Sequence, residues 1–396
     1  MFHRPPRHER PVKASGCSGL STISKGVRMA SPTASQSRMR TTALALASAL
    51  LLAGCGAGWP GSQPHGDTAL TIYSSTDRAQ FDDVVNAFAR SHPGISIRYE
   101  ALSAREVYER TRHEIDKGLT GADLVINSSM DLQIKLVNDG YAQTYASPQR
   151  GKLPNWAVWK NQAYAVSSEP IVIGYNKRLI APADLPRDHD ELASLLHRKA
   201  DMFRGRVAMY DPTTSPTGYL FVTQDLHIDR DNWDLIASIG LVQPRLYTST
   251  AAMIDDLKSG KLLLAYNLIG SYALDRARRD PDFGVIIPRD YVLVGSRVAL
   301  IARNAEHPRA AQQFLDFILS SEGQTILAGH GMVPLRQDVA RNDPLVGAGN
   351  IRAIHVGPAL MAGVDQINRE RFFTKWNSTV RASGDIAEKK NGKGQT

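Results

Sequence analysis

Apolar and polar positions alternate at Leu70-Thr71-Ile72-Tyr73, and then the period changes. Phe81, Val84, Val85 and Phe88 recur at i, i+3, i+4 and i+7. The first spacing predicts a strand and the second one face of a helix. The exchange of periods continues along the chain. Ile95, Ile97 and Tyr99 predict a second strand, followed by a charged helix over 104–117. Residues 122–127 form a mostly apolar run, which reads as a buried strand. A helix starting near Asp131 then turns Ile134, Leu136 and Val137 inward, with Gly140 at its C-terminal end. Strands alternating with helices predict a parallel sheet covered on both faces, an α/β fold. Ligands of such sheets sit beyond the carboxyl ends of the strands.

The pattern resumes after residue 163. Glu169-Pro170 leads an apolar run to Tyr175-Asn176-Lys177, again strand-like. A helix is predicted over 188–197, a strand over 205–210, a helix from about Thr217 and another over 251–258. Residues 260–272 read as strand, turn and helix start. Residues 285–288 and 291–301 read as strands returning to the first domain. His307-Pro308 opens a helix with Ala310, Ala311, Phe314, Phe317 and Ile318 inward, and Ser320 opens the next. Residues 360–380 read as one amphipathic helix, clamped on the second domain by Met361, Val364, Ile367, Phe372 and Trp376. The polar, Gly- and Lys-rich residues 383–396 read as a disordered tail. At 396 residues the chain is long enough for two domains.

Charge alters this picture only at the N-terminus. The formal charge of +8 invites a nucleic-acid reading, but residues 1–54 hold eight of the Lys/Arg residues and a single acid. What remains has 39 basic and 38 acidic residues, so no nucleic-acid partner is expected. Arg38 and Arg40 precede an apolar run over 41–52 that is too short to span a bilayer and suits a signal peptide. Leu52-Ala53-Gly54-Cys55 resembles the lipobox of bacterial lipoproteins, which makes Cys55 the lipidated residue and residues 55–67 a tether. The 28 residues ahead of Met29 exceed an ordinary leader, which points to initiation at Met29 or Met39. Cys17 and Cys55 are the only cysteines, so the processed chain has no internal disulfide and no thiolate metal site.

Three strand-to-helix junctions are rich in small hydroxyls: Ser74, Ser75 and Thr76; Ser128 and Ser129; and Thr213, Thr214, Ser215 and Thr217 with Gly218. A helix N-terminus leaves N–H groups free and carries a partial positive charge. Hydroxyls placed there either cap the helix or join those N–H groups in holding an anion. Recurrence at three junctions favours the anion. A further Ser/Thr group over 248–250 is a cap and a weaker candidate. Arg78 and Arg178 read as solvated.

Several segments resemble the bacterial ABC-transporter solute-binding proteins over about residues 70–381. They are Glu169-Pro170 with Tyr175-Asn176-Lys177, Asp211-Pro212-Thr213-Thr214-Ser215, Gly260-Lys261 before an apolar strand, and Ser321-Glu322-Gly323-Gln324 leading to Gly331-Met332-Val333-Pro334. The Asp-Pro-x-x-Ser segment is similar to that of the ferric-iron, phosphoglycerate and sugar-phosphate binders. The resemblance implies the type II periplasmic binding protein fold, an α/β architecture of two lobes with hinge crossovers and a central cleft. Lobe 1 would be 68–168 plus 285–330, and lobe 2 would be 171–284 plus 331–382. It implies a monomeric periplasmic lipoprotein delivering a solute to an inner-membrane ABC permease, or serving as the sensing module of a histidine kinase. It adds Asn267, Ser271 and Tyr272 to the candidate ligand contacts. The iron binders carry two adjacent tyrosines, whereas Tyr266 and Tyr272 stand apart. The expected ligand is therefore a small oxyanion, an organic phosphate or phosphonate. Ferric iron with a synergistic anion, and thiamine or its phosphates, are the alternatives.

Enzymatic chemistry has little sequence support, and nothing selects a glycosidase-type pair among the many carboxylates. There is no Gly-x-Ser-x-Gly elbow, Walker loop, His-Glu-x-x-His or Gly-x-Gly-x-x-Gly after a strand. The histidines from His92 to His355 show no ligand spacing, so neither a catalytic residue, a metal nor a cofactor is expected.

Overall fold

A computed structural model describes residues 68–340 and 350–392, with side chains described as far as Val380. The leader, Cys55 and the 55–67 tether lie outside the described residues. Among those described, no helix is long and apolar enough to cross a membrane.

The chain begins with β1 (Thr68–Ser74), whose Leu70 and Ile72 are fully buried, and α1 (Arg78–Ser91), which buries Phe81, Val84, Val85 and Phe88. β2 (Ile95–Ala101) leads to α2 (Ala104–Asp116). The Ser103 hydroxyl accepts the Glu106 N–H while the Glu106 carboxylate accepts the Ser103 N–H, so this helix start is fixed from both sides. β3 (Leu124–Asn127) and α3 (Met130–Asn138) follow, then the short β4 (Val158–Trp159) and β5 (Ala163–Ala165). β6 (Glu169–Asn176), buried along its whole length, carries the chain into a second sheet.

The second lobe runs α4 (His189–Arg198), α5 (Ala200–Phe203), β7 (Val207–Tyr210), α6 (Pro216–Ile228), α7 (Asn232–Leu241), β8 (Arg245–Tyr247), α8 (Thr250–Lys258), β9 (Leu264–Ile269), α9 (Gly270–Arg279), β10 (Phe283–Ile286) and β11 (Val292–Gly295). β12 (Val298–Ile301) returns to the first sheet, where α10 (Pro308–Leu319) and α11 (Ser321–Gly329) pack. The chain ends with β13 (Ile351–Ala353), α12 (Met361–Val364) and α13 (Gln366–Gly392).

The first sheet has the order β2-β1-β3-β12-β5-β4, with β1 parallel to both neighbours and β12 antiparallel between β3 and β5. The second has the order β13-β11-β6-β9-β7-β8, with β10 also antiparallel to β6. Helices α4, α7 and α13 cover one face of the second sheet. Leu192, Leu196, Ile236, Ile239, Phe372 and Trp376 form that layer.

Four expectations change. The return to the first lobe comes at Ser296–Arg297 and not at 285, because β10 and β11 both pair with β6. An apolar run signals a strand but not which sheet it joins. Residues 331–336 stay with lobe 1: Ser168 and Val333 pair across a β-bridge, the Leu335 N–H donates to Gln324, and Arg336 donates to Gln149 at 2.7 Å. Lobe 2 resumes with β13. The stretch 360–380 is broken at Asp365, and of the five residues expected to clamp it on lobe 2, Phe372 and Trp376 enter that lobe's core. Ile367 is exposed, and α12 packs on α3 of lobe 1. The tail expected to be disordered continues α13 as helix to Gly392, consistent with the helix formers Ala387-Glu388-Lys389-Lys390.

Candidate functional site

A cleft of about 240 Å3 lies between the two sheets. It is built from six strand-to-helix junctions, each at the carboxyl end of a strand. Lobe 1 contributes Ser75, Thr76 and Asp77 from β1–α1, residues 101–104 from β2–α2 and Ser128 from β3–α3. Lobe 2 contributes Tyr210 and Thr217 from β7–α6, residues 248–251 from β8–α8, and Ile269 and Tyr272 from β9–α9. Asp77, Ser103, Ser249 and Ile269 are the N-caps of their helices, Ser128 directly precedes the N-cap Ser129, and Thr217 sits in the first turn of α6. Six helix N-termini therefore face one space, each with a partial positive charge on the order of +0.5. Among the lining residues, Asp77 alone has a charged side chain.

Behind this lining lies a buried ion pair. Arg297, at the return crossing, holds Glu169, at the outward crossing; Nε lies 3.0 Å from Oε1 and Nη2 lies 3.2 Å from Oε2. Arg297 Nη1 also donates to Thr76 Oγ1 at 2.7 Å. The Ser167 and Ser271 hydroxyls donate to the same carboxylate, Ser167 at 2.8 Å. Burial pulls the guanidinium pKa down, but Glu169 and the neighbouring phenols raise it further, so Arg297 stays charged. The Tyr272 ring lies 5.6 Å from the guanidinium. Burial pushes the Tyr272 phenol up to about 12 against the opposing pull of Arg297. Its oxygen accepts the Asp77 N–H at 3.2 Å.

The lobes touch around the cleft. Thr217 Oγ1 is 3.1 Å from Ser128 Oγ and 2.9 Å from Ser129 Oγ. Ser75 Oγ accepts the Ser128 N–H at 2.9 Å. At the rim, Arg105 of α2 donates to the Thr213 and Thr214 carbonyls at 3.3 Å.

Of the residues singled out from sequence, Ser75, Thr76, Ser128, Thr217 and Tyr272 come together in the lining, with Ser129 one bond behind and Ser271 on the Glu169 carboxylate. The others are engaged elsewhere. Ser74 accepts the Thr76 N–H as a local turn. The Thr213 and Thr214 hydroxyls both donate to Asp211. Ser215 caps α6 by accepting the Gly218 N–H at 3.2 Å. Gly218 has no room for a side chain, because a Cβ would sit 2.4 Å from that of Tyr210. Asn267 donates to the buried Asp225 at 2.8 Å, away from the cleft. Arg78 pairs with Asp82 and Arg178 with Asp282, so neither supplies the site with charge.

Arg297, Glu169, Tyr210 and the β2–α2 junction escaped the sequence reading of the site. Arg297 did leave a signal, as the lone charge in the apolar run 291–301. The Ser103–Glu106 capping box marks a fourth junction as plainly as the hydroxyl clusters mark the others.

Residues 70–333 match the family described as bacterial extracellular solute-binding protein. The chain is 35% identical to the substrate binding protein of an ABC transporter from Agrobacterium tumefaciens, over 79% of this chain and 94% of that one, with a TM-score of 0.76. Iron-bound HitA from Pseudomonas aeruginosa shares the fold at 18% identity, covering 80% of this chain and 99% of its own, with a TM-score of 0.64. AfuA from Actinobacillus pleuropneumoniae, solved with fructose-6-phosphate, does so at 17% identity, covering 80% and 99%, with a TM-score of 0.65. None of the curated proteins is a significant match. The two-sheet architecture is the type II periplasmic binding protein fold, and the chain belongs to the bacterial extracellular solute-binding proteins.

Proposed function

We propose that the protein is the solute receptor of an ABC-type uptake system and takes a small oxyanion, an organic phosphate or phosphonate, in the interlobe cleft. The convergence of six helix N-termini on a space with a single charged lining residue carries this reading. Such a site offers N–H groups and hydroxyls to an anion, opposed by the single negative charge of Asp77. Arg297 adds fixed positive potential that Glu169 largely balances, so most of the recognition falls to neutral donors. A volume of about 240 Å3 is below the roughly 300–1,000 Å3 of drug-sized ligand pockets, so the solute is small.

The receptor sits in the periplasm, tethered through Cys55, and releases its solute to the permease without chemical change. Ferric iron is disfavoured because the phenols do not gather as a ligand pair: Tyr272 lines the cleft, with burial raising it to about 12, whereas Tyr266 bonds the buried Asp225 away from the cleft. Thiamine is disfavoured because its cationic ring would face six positive helix ends.

The test is a thermal-shift screen of the purified protein with phosphate, phosphoglycerates, hexose phosphates, phosphonates, thiamine phosphates and ferric citrate. A ligand at 100 times its Kd adds about 2.7 kcal/mol. One phosphorylated or phosphonate compound is expected to raise Tm, with the shift lost in Thr217→Val. A shift with ferric citrate alone would overturn the oxyanion assignment.

A further inference from the structure

A second groove lies on lobe 2 and shares no lining residue with the cleft. It runs between β10 and the segment from Pro182 to α4, with a volume of about 710 Å3. Among the described strands, β10 pairs with β6 alone. The Lys177 N–H donates to the Asp282 carbonyl, and the register continues as Gly284 opposite Tyr175 and Ile286 opposite Ile173. Antiparallel pairs alternate, so Val285 turns its N–H and C=O away from β6, toward the free edge. An open edge of this kind is a template for one more strand.

The walls favour one kind of strand. Val285, Ile286 and Ile287 are half-buried along the groove. The Tyr175 ring lies over Gly284, where a Cβ would come within 2.2 Å of it, and the Tyr175 hydroxyl has no hydrogen-bond partner among the described residues. Arg187, Arg198 and Arg289 stand exposed around the groove. Its two carboxylates are already engaged, Asp184 by Lys199 at 2.6 Å and Glu191 by Arg187 at 2.8 Å. Arg198 and Arg289 have no ion pair among the described residues. The far end is closed where the Arg289 N–H donates to the Arg187 carbonyl and His189 bonds Asp290.

We infer that this groove docks an extended acidic segment of a partner protein, which adds to the free edge of β10 and places its carboxylates on Arg198 and Arg289. The segment alternates apolar and acidic residues over about four positions, the length of β10. The inference is independent of which solute occupies the cleft.

Fluorescence anisotropy of the whole purified protein tests it, using labelled hexapeptides that alternate Val with Glu, with Gln or with Lys. The Glu peptide is expected to bind at least tenfold more tightly than the Lys peptide. Arg198→Glu with Arg289→Glu should reverse that order. Val285→Pro removes the edge N–H and keeps the pairing with β6, and should weaken the Glu peptide at least fivefold. The Tm shift with the cleft solute should be unchanged in both variants, which separates this inference from the solute assignment. Equal binding of the Glu and Gln peptides, no binding at 1 mM, or an unaffected Val285→Pro would overturn it. Tighter competition by phosphatidylglycerol vesicles than by free Glu peptide would assign the arginines to a lipid surface instead.

Discussion

Arg297 is a buried side chain with partners in both lobes, and its removal is informative in two ways. Arg297→Met leaves the Glu169 carboxylate buried and unpaired, which costs about 3–5 kcal/mol. Combining it with Glu169→Gln should restore part of that loss in urea denaturation, since the uncompensated charge is then gone. His189 carries a pH dependence. Burial pulls its pKa down, but the hydrogen bond to Asp290 and the carboxylates of Asp225, Asp290 and Asp188 outweigh burial and raise it overall. A raised folded pKa means that the added stability is full below the unfolded value of about 6.5 and disappears as pH rises through the folded value. His189→Gln should therefore lose stability relative to the parent at pH 6, with a smaller difference at pH 9. Equal differences at both pH values would remove the ion pair from the account. At this scale the sequence was legible only in part. A serine before a helix announces a junction, but Ser215 closes on its own helix while Ser128, just ahead of α3, reaches across to Thr217. Residue type fixes the options, and the partner lobe selects among them.

The helices and strands themselves were largely legible, because periods of two and of 3.6 are local properties. The β1–α1, β2–α2 and β3–α3 units stand where the spacing places them. Sheet membership was not legible, since it depends on which apolar strand finds which edge. That is why the apolar runs of β10 and β11 point to lobe 1 in the sequence but pair with β6 of the second sheet. At α6 the tight fit between helix and strand is testable. Gly218→Ala would bring a methyl within 2.4 Å of the Tyr210 Cβ, and backbone movement is the only relief. The expected cost is about 1–3 kcal/mol, together with weaker solute binding, because the same shift moves Thr217. A Tm loss with unchanged solute affinity would show that the α6 start is not rigidly coupled to the cleft.

Across the whole molecule, the polar links between the lobes include Ser128 and Ser129 to Thr217, Asp77 to Tyr272, Thr76 to Arg297, Arg105 to the 213–214 carbonyls, and Arg278 to the Gly329 carbonyl. Each is worth about 1 kcal/mol net, so losing one or two shifts an open–closed balance several-fold. Arg105→Ala with Thr217→Val should enlarge the radius of gyration of the free protein in small-angle scattering, and saturating solute should restore the smaller value at least in part. An unchanged radius would mean that the hinge segments and α12 against α3 hold the lobes together without these bonds.

The placement of β12 bears on how the chain can be made. It lies between β3 and β5, so the first sheet remains in two pieces until residue 301 has emerged. The outer layer of the second lobe stays uncovered until Trp376 arrives. A polypeptide pushed N-terminus first through a narrow conduit therefore cannot complete either lobe while most of its length is still threading. Delayed sheet completion of this kind keeps the chain pliable in transit and leaves compaction to the far side.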